Sequence, residues 1–385
     1  MSRNFARNII SVLMLLSILV AGCAPAATTA APQATTAPQA TTAPSGGGTS
    51  VGIVLPTKSE PRWLQDQAAF QKYMAAAGYQ AEILFSELSS ATEKTNVESL
   101  LSKGIKVLII CPQDAKAAAA AADEAHAAGV KVISYDRLIL GTNSVDFYVT
   151  FDSLAVGAAQ AQYLIDHASG KSNPLYLYAG AASDNNAFLF FEGAWEKLQP
   201  KIADGTFVIK NSAQAVSLQS NPKLTRDQES QIIGQITTDW KFDVAKTLAE
   251  ANLTAASAAD KGNVFILAPN DGTSRSIADA FAADKDVKSY IVTGQDAEEA
   301  SVQYIIDGKQ SMTVLKDVRT LAKSAFDAAD AYLKGTTPTS NGKYNNGTID
   351  VPAAQAPIVS VDKSNVKAAI IDSGYWPAKD FKGLQ

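Results

Sequence analysis

Val51-Gly52-Ile53-Val54-Leu55-Pro56-Thr57-Lys58 is a short apolar, β-branched run that breaks at a proline and opens into Ser59-Glu60-Pro61-Arg62-Trp63. A strand covered on both faces reads as a continuous apolar run, not as strict alternation. The same pattern returns at residues 81–85, 107–110 and 130–135. Between these strand candidates lie residues 61–77, 92–102 and 114–128, each long enough for a helix of three turns or more. Each ends at or near Gly78, Gly104 or Gly129, and glycine is the favoured residue just past a helix C-terminus. Strand and helix alternating at this interval predict βαβ units and a parallel sheet covered by helices.

The alternation resumes after Phe151. Helices are predicted at 153–169, 187–198, 242–252, 274–283, 298–306 and 321–333, and strands at 175–179, 207–209, 264–268, 289–293 and 313–315. The expected fold class is therefore α/β, with two doubly wound lobes of similar design.

In such lobes ligands meet the loops at the carboxyl ends of the strands, and the polar clusters fall there. Arg62 and Trp63 follow the first strand, and Asp136-Arg137 the fourth. In the second half Ser183-Asp184-Asn185-Asn186, Pro269-Asn270-Asp271-Gly272, Gly294-Gln295-Asp296 and Lys316-Asp317 take the corresponding places. Asp, Asn, Arg and Lys both donate to and accept from adjacent hydroxyls, while indole faces cover the C–H side of a sugar ring. A phosphate ligand is disfavoured, because no glycine-rich cradle follows a strand; Gly46-Gly47-Gly48 precedes the first one. Each group also has a plain structural use. Asp136 with Arg137 reads as a strand-end ion pair, Asp184 and Asn186 as caps of the helix at 187, Asn270-Asp271-Gly272 as a turn, Trp63 and Trp240 as core, and Lys316 as a solvated charge. Their shared placement at strand ends favours one cleft between two lobes.

With these motifs in fixed order, the chain resembles the xylose-binding and multiple-sugar-binding periplasmic proteins of ABC transporters, a type I periplasmic binding protein family. The carriers are Gly52 to Lys58 with Arg62-Trp63, Val132 to Arg137, Asp184 to Ala187, Ser289 to Ala297 and Thr313 to Asp317. The resemblance implies a monosaccharide ligand, D-xylose first and D-glucose or D-galactose next. It places contacts on Arg62, Trp63, Asp136, Arg137, Asp184, Asn186, Trp240, Asn270, Asp296 and Lys316. It implies a monomer and delivery to a permease on hinge closure; no cofactor is expected, and the residues show no metal site, with calcium on loop carbonyls left open. It further implies three crossings between lobes, near Thr150 to Asp152, after Lys316 and near Ile349. That gives an N-terminal lobe of 51–150 with 318–348 and a C-terminal lobe of 151–317 with 349–385. Residues 211–233 depart from the family pattern as a polar insertion and loosen the placement of Trp240.

The N-terminus carries an address. Arg3 and Arg7 precede an apolar stretch that stops at Val20-Ala21-Gly22-Cys23. Residues 1–22 read as a secretory signal, and the tetrapeptide resembles a lipoprotein lipobox, which puts a lipid on Cys23 and the chain at the membrane outside the cytoplasm. Residues 24–50 are Ala, Thr, Pro, Gln and Gly with a repeat, a disordered leash reaching roughly 30 Å root-mean-square.

With 2 Cys and 2 His among 385 residues, neither a disulfide scaffold nor a Cys-based zinc site is expected. Cys111 reads as a core residue. A formal net charge of -5 gives no reason to expect nucleic-acid binding. A repressor is excluded, since leader and leash stand where a DNA-binding head would be. A sensor presenting sugar to a membrane receptor stays open. A glycosidase built on Asp136 and Asp296 would need a raised-pKa acid, which Arg137 and Lys316 disfavour; no enzyme is expected.

Overall fold

The computed structural model describes residues 50–383, so the expected leader, Cys23 and the linker up to residue 49 lie outside the described residues. The first lobe runs β1 (Val51–Leu55), α1 (Pro61–Ala76), β2 (Ala81–Phe85), α2 (Ser90–Ser102), β3 (Val107–Ile110), α3 (Ala119–Ala127), β4 (Lys131–Tyr135) and β5 (Phe147–Phe151). All pairings in the order β2-β1-β3-β4-β5 are parallel. Gly78, Gly104 and Gly129 close their helices at φ of 74°, 75° and 75°, the left-handed geometry that side chains resist.

The second lobe comprises α4 (Ser153–His167), β6 (Asn173–Leu177), α5 (Asn185–Ala203), β7 (Phe207–Ile209), α6 (Ala213–Ser217), α7 (Arg226–Ile236), α8 (Phe242–Ala255), β8 (Asn263–Leu267), α9 (Asp271–Ala283), β9 (Ser289–Val292), α10 (Glu299–Asp307) and β10 (Met312–Leu315). Its sheet orders as β7-β6-β8-β9. β10 continues it through Val314 N donating to Gly294 O at 3.0 Å and Asp296 N donating to Val314 O at 2.9 Å. Both lobes thus share one strand order, with the crevice opening at its reversal.

Both sheets are filled on two faces. In the first lobe Phe70 and Met74 of α1 pack against Ile53, Ile109 and Val149, while Val97 and Leu100 of α2 pack on Val54 and Leu108. Cys111 is fully buried at the end of β3 in the first of these cores. In the second lobe Phe191 and Trp195 of α5 cover one face and Ile277 and Phe281 of α9 the other.

Three connections cross between the sheets. β5 runs into α4 at Asp152, whose side chain caps the helix through Ala155 N at 3.0 Å. β10 runs into α11 (Val318–Leu333), capped by Asp317 through Arg319 N at 2.9 Å, and α11 packs back on α1. The third differs from the expectation. Ile349 leads into β12 (Asp350–Ala356), which pairs parallel with β5 in the first sheet and antiparallel with β11 (Gly342–Asn345). Only after residues 357–358 does β13 (Val359–Asp362) pair with β10 in the second lobe. The cause lies in side chains: Val351 and Ala353 of β12 are fully buried in the first lobe's core, so the strand stays with that sheet.

The insertion at 211–233 is helical. α7 opens with a capping box between Thr225 and Gln228, and Trp195 and Gln199 of α5 donate to Asn221 O and Gln219 O, each at 2.9 Å. The segment is thereby tied to the second lobe's outer face, on α5.

α4 and α5 approach backbone to backbone. A Cβ at Gly157 would lie 1.8 Å from Phe190 O, and one at Gly193 2.0 Å from Leu154 O. Only glycine permits that crossing. Gly157→Ala should destabilise the fold by roughly 3 kcal/mol, as overpacking against rigid backbone does, and the loss should appear as a lower midpoint in urea denaturation; an unchanged midpoint would contradict the crossing.

Candidate functional site between the lobes

A narrow cavity of about 20 Å³ lies where the carboxyl ends of the two sheets face each other. Its walls come from both lobes. Arg62 and Trp63 are delivered by the first turn of α1, and Asp136 and Arg137 by the residues just past β4. Asp184 and Asn186 lie at the start of α5, Trp240 before α8, Asn270 at the N-cap of α9, Asp296 after β9 and Lys316 after β10. All ten residues singled out in the sequence therefore line one space. Glu60, Phe190 and Gln295 line it too.

The charges alternate. Arg62 Nη2 lies 2.6 Å from Asp136 Oδ2, Nη1 lies 3.5 Å from Asp296 Oδ1, and Nε lies 3.4 Å from Asp66 Oδ2. Lys316 Nζ lies 2.8 Å from Asp296 Oδ1. Arg137 Nε lies 2.9 Å from Asp184 Oδ2, so the neighbours Asp136 and Arg137 each pair elsewhere instead of with one another. Asn186 Nδ2 donates to Asp136 O at 2.9 Å and to Oδ1 at 3.3 Å. The Arg62–Asp296, Arg137–Asp184 and Asn186–Asp136 contacts each join one lobe to the other.

Local roles and site roles coincide. Asp184 caps α5 through Asn186 N at 2.8 Å while its other oxygen meets Arg137. Asn270 caps α9 with Oδ1, accepting from Thr273 N at 3.3 Å and Oγ1 at 2.6 Å. Burial alone would raise the Asp136 carboxyl, but Arg62, Lys316 and Arg137 outweigh it and hold the group at about 2. Behind Arg62, Asp66 accepts a hydrogen bond from the Tyr135 hydroxyl, and burial pushes its carboxyl up to about 6.

The aromatic groups close the space. The Arg62 and Arg137 guanidinium carbons lie 4.6 and 5.3 Å from the Trp63 ring centre, a cation–π contact that holds the indole beside the charged wall. Trp240 packs edge-on against Phe190, ring centres 6.4 Å apart. It also lies against Gly180, where a Cβ would fall 2.0 Å from the indole. Thr238 N donates to Ala179 O at 2.8 Å, pinning the Trp240 loop to the sheet despite the insertion before it. Five buried polar atoms of the cavity-lining residues have no hydrogen-bond partner among the described residues: Glu60 Oε1, Gln295 Oε1, Arg62 Nε, Trp63 Nε1 and Trp240 Nε1. Native proteins rarely leave such atoms unpaired, and here they are two acceptors and three donors.

The three residues missed in the sequence had visible signals. Gln295 adjoins Asp296 and Glu60 stands two residues before Arg62, both within polar clusters that follow strands, and Phe190 lies one helical turn beyond Asn186, where i and i+4 share a face. Among the described residues, no group of three or more His, Cys, Asp or Glu side chains is placed to hold a metal ion, and no helix is long and apolar enough to cross a membrane.

Two α/β lobes of one strand order, three crossings and a polar chamber between them define a type I periplasmic binding protein. The family model of the periplasmic binding protein domain matches residues 51–337, and the chain belongs to that family. The multiple sugar-binding periplasmic receptor ChvE of Rhizobium radiobacter is 35% identical over 86% of this chain and 92% of its own. The D-xylose-binding periplasmic protein of Escherichia coli is 28% identical over 84% of this chain and 90% of its own. Among solved structures, the carbohydrate transporter solute binding protein from Chloroflexus aurantiacus in complex with D-glucose is 71% identical, with a TM-score of 0.86 over 87% of this chain and 98% of that one.

Because Trp240 rests on Gly180, Gly180→Ala should drive the indole out of its seat. Its tryptophan emission should become more accessible to acrylamide than in wild type while the far-ultraviolet dichroism stays the same; unchanged quenching would contradict the seating.

Proposed function

We propose that this chain is an extracytoplasmic sugar-binding lipoprotein that holds one monosaccharide in the cavity between its lobes and delivers it to an ABC transporter permease. The observation that carries the reading is the lining of the chamber, in which alternating charged groups and two indoles from both lobes converge on one space. A pyranose offers hydroxyls that pair with carboxylate, guanidinium and amide together, and C–H faces that suit Trp63 and Trp240. Two lobes that close on it would exclude water and strengthen each polar contact. The 71% identical relative bound to D-glucose puts D-glucose ahead of D-xylose, with D-galactose third. Cys23 in its Val20-Ala21-Gly22-Cys23 setting supports the lipid tether, and residues 24–50 would be the leash.

Catalysis is not part of this reading. Asp136 is held at about 2 and so is ionised near neutrality, unsuited to act as general acid. Asp296, the other half of the pair a glycosidase would use, is ion-paired with Lys316 and Arg62, an arrangement that favours a carboxylate over the protonated acid. A receptor role is a second reading, favoured by the relative named a periplasmic receptor; co-purification with a permease or with a sensor kinase separates the two.

Calorimetric titration of the soluble body with D-glucose, D-xylose and D-galactose tests the reading: saturable one-to-one binding of at least one is expected, and no binding of any would overturn it. Arg62→Ala and Asp296→Ala should each weaken binding by roughly 1.5 to 3 kcal/mol through loss of a charged hydrogen bond, about ten- to a hundredfold in Kd. Wild-type affinity in both variants would remove these residues from the site.

A further inference from the structure

The cavity holds more acid than its cations can pair. Arg62, Arg137 and Lys316 face Glu60, Asp136, Asp184 and Asp296. Asp136, Asp184 and Asp296 each have a cationic partner within 2.9 Å. Glu60 has no salt bridge within 4.0 Å among the described residues, is 7% exposed, and leaves Oε1 without a hydrogen bond. A buried charge without a partner is costly, and protonation removes the cost. Three cations and three carboxylates then balance around a ligand that brings no charge of its own.

The charged groups facing Glu60 are identifiable. Arg137, past β4, favours its ionised form, while Asp296 and Glu298, between β9 and α10, oppose it. Lys241 and Asp243 at the start of α8 line a second space of about 360 Å³ that Glu60 and Trp240 also border. Glu60 thus stands in the partition between the closed chamber and this outer vestibule, where a proton can reach it. Burial dominates the balance, and with it the carboxyl is pushed up to about 7.

We propose that Glu60 is a sugar-contacting residue whose carboxyl is protonated in the complex, so that sugar binding takes up a proton and weakens in alkaline solution. This rests on the cavity holding a monosaccharide. Closure over a neutral ring strips the remaining water from Glu60, which favours its uncharged form further. In that form it offers an O–H donor and an acceptor to a ring hydroxyl. The sign follows by linkage: if the complex holds the proton and the free protein above neutrality does not, affinity falls as pH rises, by up to tenfold per pH unit.

The test is calorimetry of wild type with D-glucose between about pH 6 and 9, in buffers of different ionisation enthalpy, which reads protons taken up per sugar bound. Uptake approaching one proton at about pH 8, with Kd rising over the alkaline range, is expected. Glu60→Gln keeps the shape and removes the titration, so its Kd should change by less than about threefold over the same range. Binding without uptake and flat with pH in wild type would overturn the proposal while leaving the sugar-binding reading intact, as would an alkaline slope that persists in Glu60→Gln. No binding of any sugar at any pH would overturn the underlying reading, and this one with it.

Discussion

The Arg62 guanidinium is the point on which the site turns. It is 3% exposed and reaches Asp66 and Asp136 of its own lobe and Asp296 of the other. A buried cation survives only where carboxylates surround it, and those carboxylates come from α1, from the end of β4 and from the end of β9. The interaction therefore requires both sheets to present their carboxyl ends to one space. The shared strand order of the lobes meets that requirement; Arg137 makes a second cross-lobe pair with Asp184, and Lys316 pairs with Asp296 within the second lobe.

Several of these side chains sit on strained backbone. Asp136 has φ of 60°, Asp296 of 99° and Ala297 of 51°, conformations that cost energy for residues other than glycine. At Asp296 the restraint is visible. Asp271 Oδ2 accepts from Glu298 N at 2.9 Å, and Asp271 N donates to Gln295 O at 3.0 Å. Gln310 donates to the other oxygen of the Asp271 carboxyl at 2.8 Å. Residues on both sides of the strained pair are thus fixed from α9, and Asp296 is aimed at Arg62 and Lys316 before any ligand arrives. Such preorganisation is what a small polar ligand needs from its site.

Most of this was legible in the chain. β1, β2, β3 and β7 have the bounds that the apolar runs predict, and nine of the thirteen residues lining the cavity are those singled out in the polar clusters at strand ends, with Trp240 added by the family resemblance. The omissions have physical causes. β5, Phe147-Tyr148-Val149-Thr150-Phe151, is as apolar as its neighbours, but no helix separates it from β4, so a reading built on strand–helix alternation passes over it. β12 is Asp-Val-Pro-Ala-Ala-Gln-Ala, whose small residues and proline disguise a strand; only the alternation of Val351 and Ala353 with exposed Asp350 and Pro352 marks it. That strand is why the third crossing falls after Ala356 and not at Ile349. The ion pairing was not legible either. Adjacent Asp136 and Arg137 suggest one local pair, whereas the left-handed turn at Asp136 sends the two side chains to Arg62 and Asp184.

The most direct measurement is a crystal structure of the soluble body grown with D-glucose. Density for a single ring enclosed between the lobes, with polar contacts to Arg62, Asp136, Asp296 and Lys316 and its faces beside Trp63 and Trp240, is the expected result. A ring bound elsewhere on the surface, or lobes closed on a chamber without sugar while binding is saturated in solution, would contradict the assignment of this cavity.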